Sequence, residues 1–571
     1  MAFQLSPGVL VQEKDLTAIV PSVATSAGAF AGAFQWGPVG QVTTIDSENN
    51  LVKYFGAPTD TTFASFYTAA NYLSYGNNLK LVRIVNESVA KNAIANASAS
   101  AILIKNFDDY LSSRSSGGYG LGEFIAKYPG NVGNSLKVSM VDANTWGAYN
   151  GYAGNAWPYQ SEFNTVPGTS DYAASLGGTN DEVHIVVVDE DGLWSGIRNT
   201  VIEKYAYVSK GSDAKKTDGS TNYYKEVING SSQYVWHLDH PTTGTNWGTS
   251  VQGKTFANLS ANVQVSLVKG VDSEANITAG NVIAGFNFFS NDELYDVSLI
   301  PLGPWSNTTS VVTSVVSLAE NRKDCVVFVS PSLESVVNVS PADQASNVVS
   351  FRNNNINVNS SYAVMDSGWK YQYDRYNDKY RWVPLNGDIA GLCARTDSIA
   401  DPWFSPGGFN RGQIRNVVKL AFNPAKTDRD TLYKAGVNPV VSFPGQGTVL
   451  FGDKTMQAKP SAFDRINVRR LFIVLEKAIA TASKFQLFEF NDPFTRAQFR
   501  NLVEPFLRDV QGRRGVTDFK VVCDETNNTG DVIDRNEFRA DIYIKPARSI
   551  NFISLTFIAT RSGISFEEVG A

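Results

Sequence analysis

Cysteine and histidine are scarce in this chain, with three of each among 571 residues. Cys325, Cys393 and Cys523 are scattered, odd in number and never spaced C-x-x-C. That argues against a disulfide framework or a cysteine zinc site and fits a reducing compartment. Of the histidines, His184 stands alone, while His237 and His240 form an H-x-x-H around Asp239. No third ligand accompanies the pair, and a surface-loop placement is expected for it. With no G-x-S-x-G elbow beside these histidines, a Ser-His-Asp centre has no support either. Charge is also low, at 18 % of residues with a net −6, so nothing global points to nucleic acid. Long apolar runs are missing too. Residues 16–45 carry no charge, but Pro21, Gly28, Gly32, Gly37 and Pro38 interrupt them well short of the ~20 apolar residues a membrane span needs. The first residues lack a basic stretch followed by an apolar core, so no secretion signal is expected. The N-x-S/T triplets at Asn86, Asn96 and Asn276 then reflect an Asn/Ser/Thr-rich composition rather than glycosylation.

The remaining chemical motifs are weak. "GTVLFGDKT" (Gly447–Thr455) has the glycine separation of a phosphate loop, but Asp453 precedes Lys454. A carboxylate there repels phosphate and displaces the lysine, so a strand and turn are expected instead. "GGYGLG" (Gly117–Gly122) reads as a loop. "DEDG" (Asp189–Gly192) and "DETNNTGD" (Asp524–Asp531) are acidic turns that do not continue into a bidentate glutamate as a calcium loop does. No pair of carboxylates is singled out for glycosidase chemistry. No cofactor, metal or catalytic residue is expected.

What the chain does have is length and pattern. At 571 residues it exceeds a single core, and about three to four domains are expected, with no internal repeat. The fold class expected is mixed α/β (α+β), multidomain. Residues 1–22 form an extended arm: in "SPGVLVQEKDLTAIVPS", between Pro7 and Pro21, Val9 and Val11 face one way and Leu10 and Gln12 the other. Residues 23–86 alternate strands, turns and a helix over Phe63–Gly76, a small α/β domain completed by later segments. Residues 87–270 are β-rich and inserted, with clear strands at "HIVVVDEDG" and "TVIEKYAYVS". An α/β pattern resumes over 271–460. Residues 461–548 form a C-terminal α/β domain. There, Ser461 and Asp464 suggest a capping box opening a helix of about 22 residues. Asp492 and Pro493 begin a second helix that Pro505 is expected to kink or divide and Gly515 to end. Residues 549–571 form a second arm, in which Ile564 and Phe566 alternate with polar neighbours. Residues 461–520 hold eleven Lys/Arg against seven Asp/Glu, a net +4 that leaves −10 for the rest of the chain. A docking face for an acidic partner is one reading of that asymmetry.

A set of motifs occurs in order: "SPGVLVQEKD", "FQWGPVGQV", "KYFGAP", "YGNNLKLVRIV", "AKYPGNVGNSLKV", "DEVHIVVVDEDGLWSG", "AGLCARTDSIADPWFSPGG", "GTVLFGDKT" and "SAFDRINVRRLFIVLEKAI". Together these resemble the tail sheath proteins of contractile-tailed bacteriophages, particularly the large T-even type. The likeness is densest over 1–86, 120–140, 180–230 and 385–571, and the chain departs from the pattern mainly by a shorter middle. The resemblance implies a non-enzymatic subunit of the virion tail, assembled in the host cytoplasm as stacked six-membered rings. It implies contraction around a tube without nucleotide hydrolysis. Implied partners are further copies of the chain, the tail tube protein, and baseplate and tail terminator proteins, with no nucleic-acid contact or membrane insertion. The arms at Val9, Leu10 and Val11 and at Ile564 and Phe566 would add strands to neighbouring subunits, swinging on hinges at Pro21–Thr25 and Pro546–Arg548. Arg465, Arg469, Arg470, Arg496 and Arg500 would face the tube. Two alternatives are weighed: another virion structural protein of the baseplate or adhesin kind, and a carbohydrate-active enzyme, prompted by the Tyr and Trp residues of the insertion.

Overall fold

A computed structural model of the chain describes residues 23–147, 156–241, 244–551 and 553–554. Its contacts divide the chain into two compact units. One comprises Ala24–Ile399 and Pro406–Lys459; the other comprises Ala400–Ser405 and the chain from Pro460 onward, together with Val23.

The first unit is organised by a seven-stranded sheet. Its order runs Val437–Asn438, Ala363–Asp366, Val326–Val329, Leu299–Pro301, Gly28–Gly32, Leu79–Arg83, Val42–Ile45. Every pairing is parallel except the last. The inner strands are short apolar runs such as VVFV, buried along their whole length, as parallel strands covered on both faces must be. Residues 28–83 therefore share one sheet with 299–438. Helices Phe63–Leu73 and Asn386–Ile399 pack on each other, and so do Ala279–Asn287 and Thr309–Arg322. The first pair is very close: a Cβ on Gly387 would lie 2.5 Å from the Thr68 carbonyl oxygen.

Beneath that helix pair lies a buried polar network. Lys370 Nζ donates to Asp388 Oδ1 at 2.9 Å with both side chains fully buried, and Tyr75 Oη donates to the same oxygen at 3.0 Å. Burial pushes the Asp366 carboxyl up to about 8, although Ser330 Oγ and the Gly368 N–H donate to it at 2.7 and 2.9 Å.

The inserted region is joined to this sheet by a narrow neck. The outgoing and returning chains bond each other directly, Ile94 with Val268 and Lys91 with Val271, at 2.8–3.1 Å. Arg83 staples the neck. It is fully buried and donates to the carbonyls of Phe34, Gly37 and Gln35 on one side and Pro129 on the other, at 2.8–3.2 Å. Glu274 lies 3.7 Å away. Burial lowers the guanidinium to about 10, so it stays charged at neutral pH. Beyond the neck stands a four-stranded antiparallel sheet, ordered Thr200–Ser209, Glu182–Asp189, Leu136–Val141, Val263–Ser266.

His237 is not on a surface loop, whereas His240 lies half-buried in the irregular segment that follows. His237 is buried on strand Val235–His237, paired with Phe124–Ala126. Tyr224 Oη bridges the two rings, 2.8 Å from His237 Nε2 and 2.5 Å from His240 Nδ1. Burial lowers both histidines below their usual range, that of His237 strongly. The apolar neighbours Trp236 and Leu238 carry His237 inward, a tertiary choice the H-x-x-H spacing does not encode.

In the second unit, helices Ile466–Ser483 and Pro493–Gly512 and strands Val516–Val522 and Asp541–Pro546 share one core. Leu471, Val474 and Leu475 of the first helix meet Phe499, Val503, Leu507 and Val510 of the second, spaced three and four apart as a core-facing stripe requires. Trp403, from the six-residue excursion at 400–405, completes it and donates from Nε1 to the Arg513 carbonyl at 3.1 Å. Three local expectations change. Ser461 accepts from the Phe463 N–H and caps only a short 3₁₀ turn, so the first helix begins at Ile466 and has 18 residues. Pro505 does not divide the second helix: the proline is exposed, and water can solvate the carbonyl it leaves free. That helix ends in a Schellman motif, with Gly515 N–H donating to the Val510 carbonyl at 2.8 Å and Arg514 N–H to Gln511 at 3.0 Å. The left-handed residue is Arg514 (φ +67°), and Gly515 is required instead because its Cβ would lie 2.6 Å from Val510 Cγ1.

Candidate assembly surfaces

The second unit is where the polypeptide leaves backbone and apolar surface open. Val516–Val522 pairs antiparallel with Asp541–Pro546, and neither strand has a second strand partner among the described residues. Ile542, Ile544 and Pro546 turn partly inward while Asp541, Tyr543 and Lys545 are exposed. Two strands alone are marginal. Here the helices cover one face, and among the described residues no strand lies on either outer edge.

The arm residues Val9, Leu10, Val11, Ile564 and Phe566 lie outside the described residues. The five arginines are described, and they do not form one exposed basic face. Arg469, Arg470 and Arg496 are buried, at 3–5 % exposure. The Arg469 guanidinium lies over the Phe463 ring at 4.1 Å. The start of this helix is buried on every side, Ile466 through Leu471 without a break, so 469 and 470 are internal wherever they fall around the axis. Arg465 and Arg500 stay partly exposed. Arg465 sits at the N-cap of Ile466–Ser483 and donates to the side-chain oxygen of Asn551 at 2.6 and 3.0 Å. Arg500 and Arg496 line a cavity of about 280 Å³ with Pro493, Cys523, Asp524, Glu525 and Thr526. Hydrogen bonds from Thr526 hold the Asp524 carboxyl below its usual value, so this cavity presents charges of both signs.

Other motifs are satisfied internally. Lys454 Nζ donates to the Tyr433 carbonyl at 2.7 Å, and Asp453 accepts from the Tyr433 hydroxyl at 3.0 Å. "GTVLFGDKT" is thus a strand, Gly447–Leu450, followed by a braced turn. The Asp189 carboxylate is filled by Ser135 Oγ, three successive N–H groups at 193–195 and Ser195 Oγ. Among the described residues no group of three or more His, Cys, Asp or Glu is arranged to hold a metal, and no helix is long and apolar enough to cross a membrane.

Relatives are found along the whole length. The family model described as tail sheath protein Gp18 domain III N-terminal region matches residues 28–84. The phage tail sheath protein central domain matches 275–456, and the phage tail sheath C-terminal domain matches 458–560. The tail sheath protein of Vibrio phage KVP40 is 33 % identical over 99 % of both chains, and that of Enterobacteria phage T4 is likewise 33 % identical over 99 % of both. This chain belongs to the phage tail sheath family. The sheath family matches flank 85–274, the stretch that carries the four-stranded inserted sheet. Solved structures share the fold. The sheath tail protein of Desulfitobacterium hafniense superposes with a TM-score of 0.53 at 11 % identity, covering 90 % of this chain and 93 % of that one. The one from Listeria innocua gives 0.53 at 12 %, covering 91 % and 94 %.

Sequence reasoning did not single out two features of this sheath-family chain. One is the excursion at 400–405, whose signal was the pair Asp401 and Trp403 in an otherwise loop-like stretch. Arg513 pairs with Asp401. The other is the segment between the two helices, "KFQLFEFNDPF", whose density of phenylalanine in a loop was the available signal.

Proposed function

We propose that this chain is the structural subunit of a contractile phage tail sheath. Copies stack as six-membered rings around the tail tube and repack during contraction, driving the tube through the host envelope. The observation that carries the reading is the two-stranded ladder of the second unit, which has no third strand among the described residues, in a chain whose sequence has strand-forming stretches at both ends. An extended segment from a neighbouring copy completes such a ladder by β-augmentation, with backbone hydrogen bonds for affinity and alternate side chains for register. Val9, Leu10 and Val11 supply one such segment, and Ile564 and Phe566 the other. A mesh of shared strands keeps subunits connected while their folded bodies slide. The extended lattice is then a higher-energy state held until release at the baseplate, and each copy contributes only a few kcal/mol. No nucleotide is required, in keeping with the internal bonding of Asp453 and Lys454. The tube contact uses Arg465 and Arg500, the two partly exposed arginines. A contact that must break suits exposed charge. The subunit is assembled in the host cytoplasm and ends in the virion tail, bounded by baseplate and terminator proteins.

Electron microscopy of the purified full chain tests this. Striated tubes or rings are expected, and deleting residues 1–20 should abolish them while leaving a folded monomer. A discrete particle that never polymerises would sink the proposal. Charge reversal at Arg465 and Arg500 should impair assembly on tubes without loss of fold.

A further inference from the structure

The segment joining the two helices of the second unit is the most apolar exposed surface among the described residues. Phe485, Leu487, Phe488, Phe490 and Phe494 expose 77, 63, 104, 82 and 74 % of their surface within ten residues. With aromatic side chains burying about 150–250 Å² each, that amounts to roughly 800 Å². The largest patch on an ordinary monomer is ~300–600 Å², and one partner of a standard interface contributes ~800 Å². Such a surface needs a cover.

The segment is held out rather than loose. A 3₁₀ turn at Lys484–Gln486 follows the first helix, and the Leu487 and Glu489 N–H groups donate to Lys484 and Gln486 carbonyls, both at 3.3 Å. Phe488 is in the left-handed region at φ +72°, unfavourable for a bulky residue, and its ring is fully exposed. At the base, Asn491 Nδ2 donates to the Glu537 carbonyl at 2.8 Å and to Asn528 Oδ1 at 3.2 Å. Asp492 caps the following helix by accepting from the Thr495 N–H at 2.8 Å.

We infer that residues 485–494 are an apolar wedge that seats against a second copy of this chain. The inference rests on the reading of the chain as a polymer subunit. Two arguments choose the occupant. The first is area: about 800 Å² of exposed apolar surface is what one partner brings to a stable protein interface, more than a weak tube contact that must release would bury. The second is charge. The wedge carries Glu489 and Asp492 and no cation. That disfavours an anionic lipid surface, which selects Lys and Arg beside the apolar groups. At the other end of the following helix, about 20 residues or ~30 Å away, Arg508 is paired with Glu504 and Arg513 with Asp509 and Asp401, beside an exposed Arg514. A wedge that seats on a different surface of the next copy makes a head-to-tail contact, the kind that closes into rings or propagates as a helix.

The test compares the full chain with Phe488→Asp/Phe490→Asp and Phe488→Leu/Phe490→Leu. The aspartate pair should keep the wild-type circular dichroism and melting temperature yet raise the critical concentration for polymer at least tenfold. The leucine pair should stay within about twofold of wild type. Wild-type polymerisation by the aspartate pair overturns the inference, and so does a defect seen only when tube is supplied, or flotation of the wild type with lipid vesicles. Amide hydrogen exchange of wild type gives an independent arm: residues 484–492 should be protected at least tenfold in the polymer over the free subunit, and equal exchange overturns the wedge. If the wild type never polymerises, it is the sheath reading that fails. If it polymerises and the aspartate pair does too, only the wedge fails.

Discussion

The two units spend their polar and apolar groups differently. In the 24–459 unit, charged groups are drawn inside and paired: Arg83 in the neck, Lys370 with Asp388, Asp374 with Arg381. Its seven-stranded sheet is sandwiched by helices. In the unit from 460 onward, a smaller core of two helices and two strands leaves, among the described residues, ladder edges without a strand partner and five large apolar side chains exposed. The contrast separates a body whose charges and strands pair internally from one whose described residues leave a ladder edge and an apolar segment uncovered. Damage to the first should appear in the isolated subunit, and damage to the second mainly in the polymer.

The largest effect should come from breaking the first half of that contrast. Arg83→Met leaves Glu274 and four carbonyl oxygens without their buried partner, a loss of about 3–5 kcal/mol for a broken buried charge. Limited proteolysis of the monomer should then cut near 84–95 or 268–274 well before the wild type is cut. Equal resistance would show that the neck does not depend on this staple.

A smaller, pH-dependent effect should mark the same unit. The folded Asp366 pKa of about 8 stands above its unfolded value near 3.8, so between those pH values the folded state holds a proton that the unfolded chain has lost. Stability therefore declines as pH rises through that window, by up to about 1.4 kcal/mol per pH unit from this group. Asp366→Asn should flatten the decline between pH 5 and 8 in denaturant titrations. An unchanged slope would place the proton elsewhere.

The smallest effect sharpens the second half. Asp492→Ala removes the N-cap of the 493–512 helix and should cost about 1 kcal/mol in the monomer. Because Asp492 also closes the base of the wedge, the polymer should lose more than the monomer. Equal losses, read by parallel melting of both forms, would uncouple cap and wedge.

Much of this was legible beforehand. The strand at Thr200–Ser209, the helix from Phe63 and the Asp492–Pro493 start follow from alternation, three-four spacing and capping chemistry, all local in sequence. What failed was depth. Arg469 and Arg470 were read as exposed because they are charged, and His237 because the H-x-x-H around Asp239 read as a loop although Trp236 and Leu238 flank it. Each is buried by the packing around it, which spacing does not record. The Ser461 cap failed by one turn, since a hydroxyl that satisfies a 3₁₀ turn looks the same in sequence as one that starts an α-helix.

Sequence by itself determined the family, the element types and the places where strands and helices begin, because periodicity and end chemistry act over a few residues. Tertiary structure alone decided which charges are internal, that 28–83 and 299–438 form one sheet, and that a ten-residue loop stands outside its own core. Those outcomes depend on which distant segments compete for the same buried volume, and no local pattern records that competition.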